Sequence, residues 1–176
     1  WRSSAGRISS RVLSVGKWYH FAFVRSGGTT KLYLNGLKEG VDYADAGDYL
    51  FDRLRIGYNT NNTYVYKGWI HGLNMLNGVA KYTSNTAITY SPVSRVGTQS
   101  ANNHSVYFDN ARFISVPSST DFDYGTGDFT IEAWIHPTSF VAAAGIIGSF
   151  NDPGSGYRFV LDTDGKLRFN NDSTTV

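Results

Sequence analysis

The chain of 176 residues is long enough for one domain with a full hydrophobic core, and too short for two sandwich domains. Its formal net charge is only +2, and its 16 Lys and Arg residues are scattered, which predicts no nucleic-acid partner. The chain contains no cysteine and no apolar run near the roughly 20 residues that span a bilayer, so we expect neither disulfides nor membrane insertion.

The first half of the chain alternates strand and turn signals. Residues Trp18–Arg25 alternate with a period of two, Ser26–Thr29 read as a turn, and Lys31–Leu34 return as the hairpin partner. Asn35-Gly36 is the strongest short hairpin signal, because a type I′ turn needs positive φ at both central residues. The other predicted elements are two strands and a single helical turn, at Leu54–Gly57, Trp69–Met75 and Val79–Tyr82.

A polar segment separates this half from the next. Residues 91–104 are rich in Ser, Gly, Asn and Gln, so we predict a linker there. The second half contains six predicted strands, at Val106–Phe108, Arg112–Val116, Phe129–Ile135, Gly145–Phe150, Tyr157–Leu161 and Lys166–Phe169. Roughly a dozen strands with almost no helix predict an all-β fold, a two-sheet antiparallel β-sandwich or jelly roll.

The motifs of the two halves resemble those of one family in reversed order. Gly16–Arg25 and Leu32–Gly36 are similar to the later part of a laminin-G-like, concanavalin A-like jelly roll, whereas Phe108–Asn110 and Gly127–Trp134 resemble its beginning. The resemblance extends to Phe113–Pro117, Gly156–Phe169, Leu54–Gly57, Lys67–Ile70 and Asn77–Asn85. It implies one sandwich domain over residues 1–176, in which 1–90 supply the family's C-terminal part and 105–176 its N-terminal part.

Two explanations of the reversed order remain open. Either the chain is a circular permutant, which sandwiches tolerate because surface termini often lie close together, or it is a tandem array cut out of register. The ending at Asn77–Asn85 is similar to one common in phage and marine bacterial members of the family. That similarity implies a virion or an extracellular surface as the location.

The acidic residues do not predict catalysis. Laminarinase-like glycoside hydrolases of the superfamily place two carboxylates two residues apart on one strand. The chain has only two glutamates, Glu39 and Glu132, and neither has an acidic residue two positions away. Asp162 and Asp164 have that spacing, but they lie in a predicted hairpin turn, and Ile70 lacks the acidic residues that usually follow it in the family. We predict that the protein is not an enzyme, with glycoside hydrolase as the weakest alternative.

Two sets of residues are candidates for ligand binding. Glu132, Trp134 and His136 alternate and therefore project from one side of a strand, either as a sugar platform or with Trp134 in the core and Glu132 at its rim. We favour the core position for Trp134, and the same reasoning applies to Trp18. The stronger candidates carry amide, phenol and indole groups that suit sugars, with an ordinary polar loop as the alternative: Asn59, Asn61, Asn62, Tyr64 and Trp69.

Calcium is the ion that the resemblance implies. Asp109, Asn151 and Asp152 lie in suitable loops and offer the oxygen ligands that calcium prefers, and ordinary turn chemistry is the alternative. The predicted function is a non-catalytic carbohydrate-binding or adhesion module whose partner is a glycan or polysaccharide. The alternative is a structural or assembly module of a phage particle or extracellular filament, which binds neighbouring copies of itself or other surface proteins.

Overall fold

Two antiparallel β-sheets make up the protein. The computed structural model describes residues 8–49, 53–58, 65–86, 105–140, 143–151 and 155–171. The twelve strands of these residues form two sheets of six, which confirms the predicted two-sheet β-sandwich. Within the same residues, helix is limited to a short 3-10 turn at Thr120–Phe122, and no helix is long and apolar enough to cross a membrane.

The strand order mixes both parts of the sequence in each sheet. In spatial order, sheet A contains β1 (Ile8–Val12), β12 (Lys166–Asn171), β11 (Ser155–Leu161), β10 (Ala144–Asn151), β5 (Leu54–Ile56) and β8 (Ile114–Val116). Sheet B contains β4 (Leu37–Ala44), β3 (Thr29–Leu34), β2 (Tyr19–Ser26), β9 (Phe129–Pro137), β6 (Lys67–Asn77) and β7 (Ser105–Asp109). Thus β9, which follows the predicted linker in the sequence, pairs with β2 and β6, which both precede it. The linker itself, residues 91–104, lies outside the described residues.

Both predicted tight hairpins are present in sheet B. Ser26 pairs with Thr29 across Gly27 and Gly28, and both glycines have positive φ. Leu34 pairs with Leu37 across Asn35 and Gly36, whose φ values of 51° and 78° are those expected for a type I′ turn. The sequence patterns missed two strands, β1 and β4, which lie at the outer edges of their sheets.

The core between the sheets is built from one face of each strand. Alternate residues of β9 enter it, and they are Phe129, Ile131, Ala133 and Ile135. Across the core, the Phe23 ring on β2 of sheet B stacks on the Phe159 ring on β11 of sheet A, with centroids 4.1 Å apart. Because side chains alternate along a strand, Trp134 must point to the other face of sheet B. The prediction that Trp134 fills the core is therefore wrong.

Candidate functional site

The outer face of sheet B carries a line of aromatic rings that crosses its strands. Trp69 on β6 pairs with Tyr107 on β7 and with His136 on β9, and Trp18 immediately precedes β2 beside His136. The rings of Trp69 and Tyr107 lie 4.9 Å apart, and those of Trp18 and His136 lie 5.2 Å apart. We call these four residues the aromatic row: Tyr107, Trp69, His136 and Trp18.

The aromatic row is open to solvent. Trp69 and Tyr107 are 38% and 44% exposed, although large aromatic side chains usually lie inside proteins. A shallow depression of about 190 Å³ is lined by Trp18, Trp69, Ser105 and His136. The expectation that Trp18 lies in the core is also wrong, because its side chain is half-buried on the outer face and lines this depression.

The close approach of β6 to β9 places Trp69 beside His136. Gly68 pairs with Pro137 and adopts a φ of +149°. A Cβ atom built on Gly68 would lie 2.3 Å from the backbone oxygen of His136, far inside van der Waals contact. This position therefore requires glycine, and the glycine permits the strand contact on which the aromatic row depends.

A second line of rings follows the aromatic row on one side. His71 on β6 pairs with Trp134 on β9, which in turn pairs with His20 on β2. The rings of His20 and Trp134 meet edge to face with centroids 5.1 Å apart. The Trp134 and His71 side chains are half-buried, whereas His20 is buried.

An extended segment covers the rest of this face. Residues Val79–Thr86, which we call the strap, leave the end of β6, and they contain no helical turn, so the helix predicted at Val79–Tyr82 is wrong. The Thr130 hydroxyl explains the extended path, because it donates to the Val79 carbonyl at 2.7 Å and accepts from the Lys81 N–H at 2.9 Å. The strap ends at the β3–β4 turn, where the Thr86 N–H donates to the Gly36 carbonyl.

Glu132 fixes the strap to sheet B. Its carboxylate is buried and accepts from the Tyr82 hydroxyl at 2.5 Å, from the Asn74 amide at 3.2 Å and from the Lys81 ammonium, and it lies 3.3 Å from His20 Nε2. Burial alone would raise the pKa of Glu132, but the hydrogen bonds from these four residues outweigh it and lower the pKa to about 2. The carboxylate therefore stays charged and engaged in holding the strap.

Polar side chains border the aromatic row on both sides. Lys67 and Asp109 are paired across β6 and β7, two residues before Trp69 and two after Tyr107, and both are exposed. On the opposite side, Ser105 pairs with His71. A sugar ring has an apolar C–H face and hydroxyl groups around its edge. Aromatic side chains flanked by hydrogen-bonding groups are complementary to that arrangement.

The residues predicted to bind calcium are only partly described. Asp109 Oδ1 accepts from the backbone N–H groups of Ala111 and Arg112 at 3.0 and 3.1 Å, and the Ala111 bond is the main reason that its pKa is lowered. These are the contacts of an ordinary turn. Asp152 and the side chain of Asn151 lie outside the described part. No group of three or more metal-ligating His, Asp or Glu residues occurs in the described part, and calcium stays a prediction.

Of the residues predicted to bind a glycan, one lies within the described residues and four lie outside them. Trp69 lies at the centre of the aromatic row. The predicted loop residues lie outside the described residues: Asn59, Asn61, Asn62 and Tyr64. Sequence reasoning missed Tyr107, whose only signal was its position next to the core residue Phe108.

The candidate catalytic carboxylates are engaged elsewhere. Asp162 and Asp164 lie at the β11–β12 hairpin turn, where both accept hydrogen bonds from the Arg168 guanidinium. Glu39 accepts from Arg11 on β1, and Glu132 lies beneath the strap. None of these four carboxylates belongs to an acidic pair beside the aromatic row.

Comparison with known proteins gives one match. The model of a family described as the concanavalin A-like lectin/glucanases superfamily matches residues 2–83 and 108–176. These two segments contain three of the four residues of the aromatic row, and the fourth, Tyr107, immediately precedes the second segment. No curated protein and no solved structure matches the chain.

Proposed function

The chain belongs to the concanavalin A-like lectin/glucanases superfamily, and we propose that it is a non-catalytic module that binds carbohydrate on the aromatic row. The observation that carries the proposal is the exposure of Trp69 and Tyr107 in one cross-strand line with His136 and Trp18. Exposed aromatic rings in a contiguous patch mark ligand or partner surfaces.

Sugar binding suits the chemistry of this surface. Indole and phenol rings offer flat apolar area to the C–H face of a pyranose and lose little conformational entropy on binding. Lys67, Asp109 and His71 lie beside the rings and supply donors and acceptors for the hydroxyl groups. Asp109 accepts from the Ala111 N–H in a turn and Glu132 accepts from Tyr82 beneath the strap, and carboxylates engaged in this way favour binding over hydrolysis.

Calcium enters the proposal as a separate question. The aromatic row offers indole and phenol rings and one imidazole, so stacking on it needs no metal ion. A calcium site would use the Asp109 carboxylate together with Asn151 and Asp152, and stacking on the rings does not depend on it. Binding through the aromatic row is therefore expected to survive chelation, whereas binding through the loops would not.

The test is a panel of polysaccharides and glycans, screened first with calcium and then with EDTA. We expect binding that persists in EDTA, quenches tryptophan fluorescence and falls about two- to tenfold in Trp69→Ala, since one aromatic contact contributes about 0.5–1.5 kcal/mol. Leu37→Ala is the matched control, because Leu37 is a similarly exposed apolar residue on β4. Silence across the panel, or full binding by Trp69→Ala, would overturn the proposal.

A structural or assembly role is the second candidate. The observation that favours it is apolar exposure at both edges of the sandwich, where Val41 is 81% exposed, Val12 60% and Val106 47%. Exposed apolar edge strands invite pairing with another chain. On this alternative the module builds a virion or an extracellular surface, and sedimentation should show concentration-dependent oligomers with no response to glycans.

A further inference from the structure

His136 is the imidazole of the aromatic row, and its two ring nitrogens have different surroundings. Nδ1 is buried and has no hydrogen-bond partner among the described residues. The side chain as a whole is only half-buried, and it lines the depression together with Trp18 and Trp69. Since the edge of the ring that carries Nδ1 is the buried one, Nε2 is the ring nitrogen that a ligand in the depression can reach.

Neighbouring groups hold the His136 ring in place. Trp18 packs against it with centroids 5.2 Å apart, and Trp69 lies opposite it across β6 and β9. Beneath the row, the buried Tyr66 hydroxyl lies 3.5 Å from the Trp69 carbonyl oxygen and makes a hydrogen bond with the His136 backbone. The imidazole is therefore fixed from the side and from below, and Nε2 occupies a defined position between two indole rings.

The surroundings of Nδ1 decide which nitrogen carries the proton. A neutral imidazole has one N–H, and its other nitrogen is an acceptor. A buried N–H without an acceptor is rarer in proteins than a buried acceptor without a donor. Nδ1 of His136 is therefore expected to hold the lone pair, which leaves the proton on Nε2.

Resting on the proposed function, we infer that His136 is a specificity-determining residue that donates a hydrogen bond from Nε2–H to an acceptor oxygen of the bound sugar. The indole rings of Trp18 and Trp69 contact an apolar face that most pyranoses share. A donor at a fixed position instead requires an oxygen at a fixed position, and a sugar that lacks it leaves the donor unpaired. His136 thus distinguishes sugars by the orientation of one hydroxyl group.

His20 provides an internal comparison on the same face of sheet B. Its Nδ1 is also buried without a partner among the described residues, and its Nε2 lies 3.3 Å from the Glu132 carboxylate, which favours a proton on Nε2. Glu132 already uses that N–H. No described residue accepts a hydrogen bond from Nε2 of His136. The two imidazoles share one expected tautomer, but only His136 can offer its N–H to a ligand.

Nitrogen NMR tests the tautomer without any ligand. Two-bond proton–nitrogen correlation spectra of the whole chain, labelled with nitrogen-15, are measured at mildly alkaline pH, where imidazoles are neutral. His20 and His136 should both show the Nε2–H tautomer, and the signals that vanish in His136→Gln identify those of His136. An Nδ1–H tautomer at His136, or an equal mixture of the two tautomers, would overturn the inference.

Two substitutions test the donor in binding. The amide N–H of Gln reaches the position of Nε2, whereas that of the shorter Asn reaches only the position of Nδ1. His136→Asn should weaken binding about two- to tenfold, as expected for the loss of one neutral hydrogen bond, and His136→Gln should restore part of that loss. Urea unfolding of both variants separates a loss of binding from a loss of folding.

The specificity is measured with a glucan, a mannan and a galactan, whose sugar units differ in hydroxyl orientation. The ratio between the strongest and the weakest affinity of the native protein should shrink about two- to tenfold in His136→Asn and less in His136→Gln. A role in packing alone would lower the three affinities together and leave their ratio unchanged.

The failures of the two proposals are distinguishable. Glycan binding that requires Trp69 but has the same strength and the same ratio in both His136 variants overturns the role of His136 and leaves carbohydrate binding intact. Silence of the native protein toward these three polysaccharides and the rest of the panel overturns the proposed function, and the role of His136 with it.

Discussion

The two halves of the outer face of sheet B differ in what covers them. In the covered half, Ala22, Val24 and Tyr33 are buried beneath Tyr82 and Ala80 of the strap. In the open half, rings of greater apolar area face solvent without any cover among the described residues. Burial of those rings would be favourable by about 25 cal/mol per Å² of apolar surface.

This contrast separates residues that stabilise the fold from residues that are free to bind. The strap covers the part of the face that carries Thr130 and Glu132, because those two side chains hydrogen-bond to Val79, Lys81 and Tyr82 of the strap. The aromatic row offers no comparable anchor for a backbone, and its rings contribute to stability only through their partial burial. Changes in the covered half should therefore alter folding, and changes in the open half should alter binding.

The largest expected effect comes from Glu132→Ala. It leaves buried His20, half-buried Tyr82 and exposed Asn74 without their shared acceptor, and loss of the buried Glu132 carboxylate from this ionic network is expected to cost about 3–5 kcal/mol. Urea unfolding measures the loss. Glu39→Ala removes the only other glutamate, whose pair with the exposed Arg11 contributes at most about 1 kcal/mol. Equal losses in the two variants would contradict the assignment of Glu132 as the anchor of the strap.

The pH dependence of stability should report the same anchor. The pKa of Glu132 is about 2 in the folded protein and 4.5 in the unfolded chain, so its contribution is present above pH 4.5 and is lost as the pH falls toward 2. This shift corresponds to a fall of about 3 kcal/mol in the free energy of unfolding. Subtraction of the profile of Glu132→Gln from that of the native protein removes the contribution of other acids. A flat difference between pH 4.5 and 2 would sink the prediction.

Gly68→Ala should disturb the contact between β6 and β9 on which the aromatic row depends. A Cβ at this position collides with the backbone oxygen of His136 and takes a φ unfavourable for side chains, so we expect a loss of about 2 kcal/mol and weaker glycan binding. Gly16→Ala is the matched control, because Gly16 also has positive φ but nothing within 4 Å of its Cβ position. The additional loss of stability in Gly68→Ala, relative to Gly16→Ala, measures the cost of the clash between β6 and β9. An equal loss in both variants would contradict this clash.

The sequence predicted those parts of the fold that depend on local patterns. Alternation located β2 and β9, and the Gly27-Gly28 and Asn35-Gly36 turns fixed two hairpins. β4 was missed because an edge strand has little apolar alternation, as its exposed Leu37 and Val41 show.

The site was harder to predict because it depends on which face of a strand is buried. Periodicity placed Glu132, Trp134 and His136 on one side, but the side was settled by Ile131 and Ile135, which take the core positions. The strap was mistaken for a helical turn because its conformation is set by the distant Thr130 hydroxyl. Neither contact has a signal in the local sequence.

Trp69→Ala should have a small effect on stability. Trp69 is 38% exposed and its ring packs against the exposed Tyr107, so we expect a change of about 0.5 kcal/mol or less in urea unfolding. Trp69→Ala would then lose glycan binding and keep its stability, whereas Glu132→Ala loses stability. A loss as large as that of Glu132→Ala would show that the open half also stabilises the fold.

A small effect is also expected when the chain is cut beside the strap. β1 and β12 are antiparallel neighbours, with Ile8 opposite Phe169, so residues 172–176 followed by 1–7 can join them as a hairpin. A permuted variant that begins at Ser105 and ends within the predicted linker keeps the strap, which is held by its bonds to Thr130 and Glu132 and needs no continuation into β7. Its free energy of unfolding should lie within about 1 kcal/mol of the native value, since loop closure changes little with loop length. A much larger loss, with protection from hydrogen exchange missing at the strap, would show that the strap depends on covalent continuity and not on its anchor.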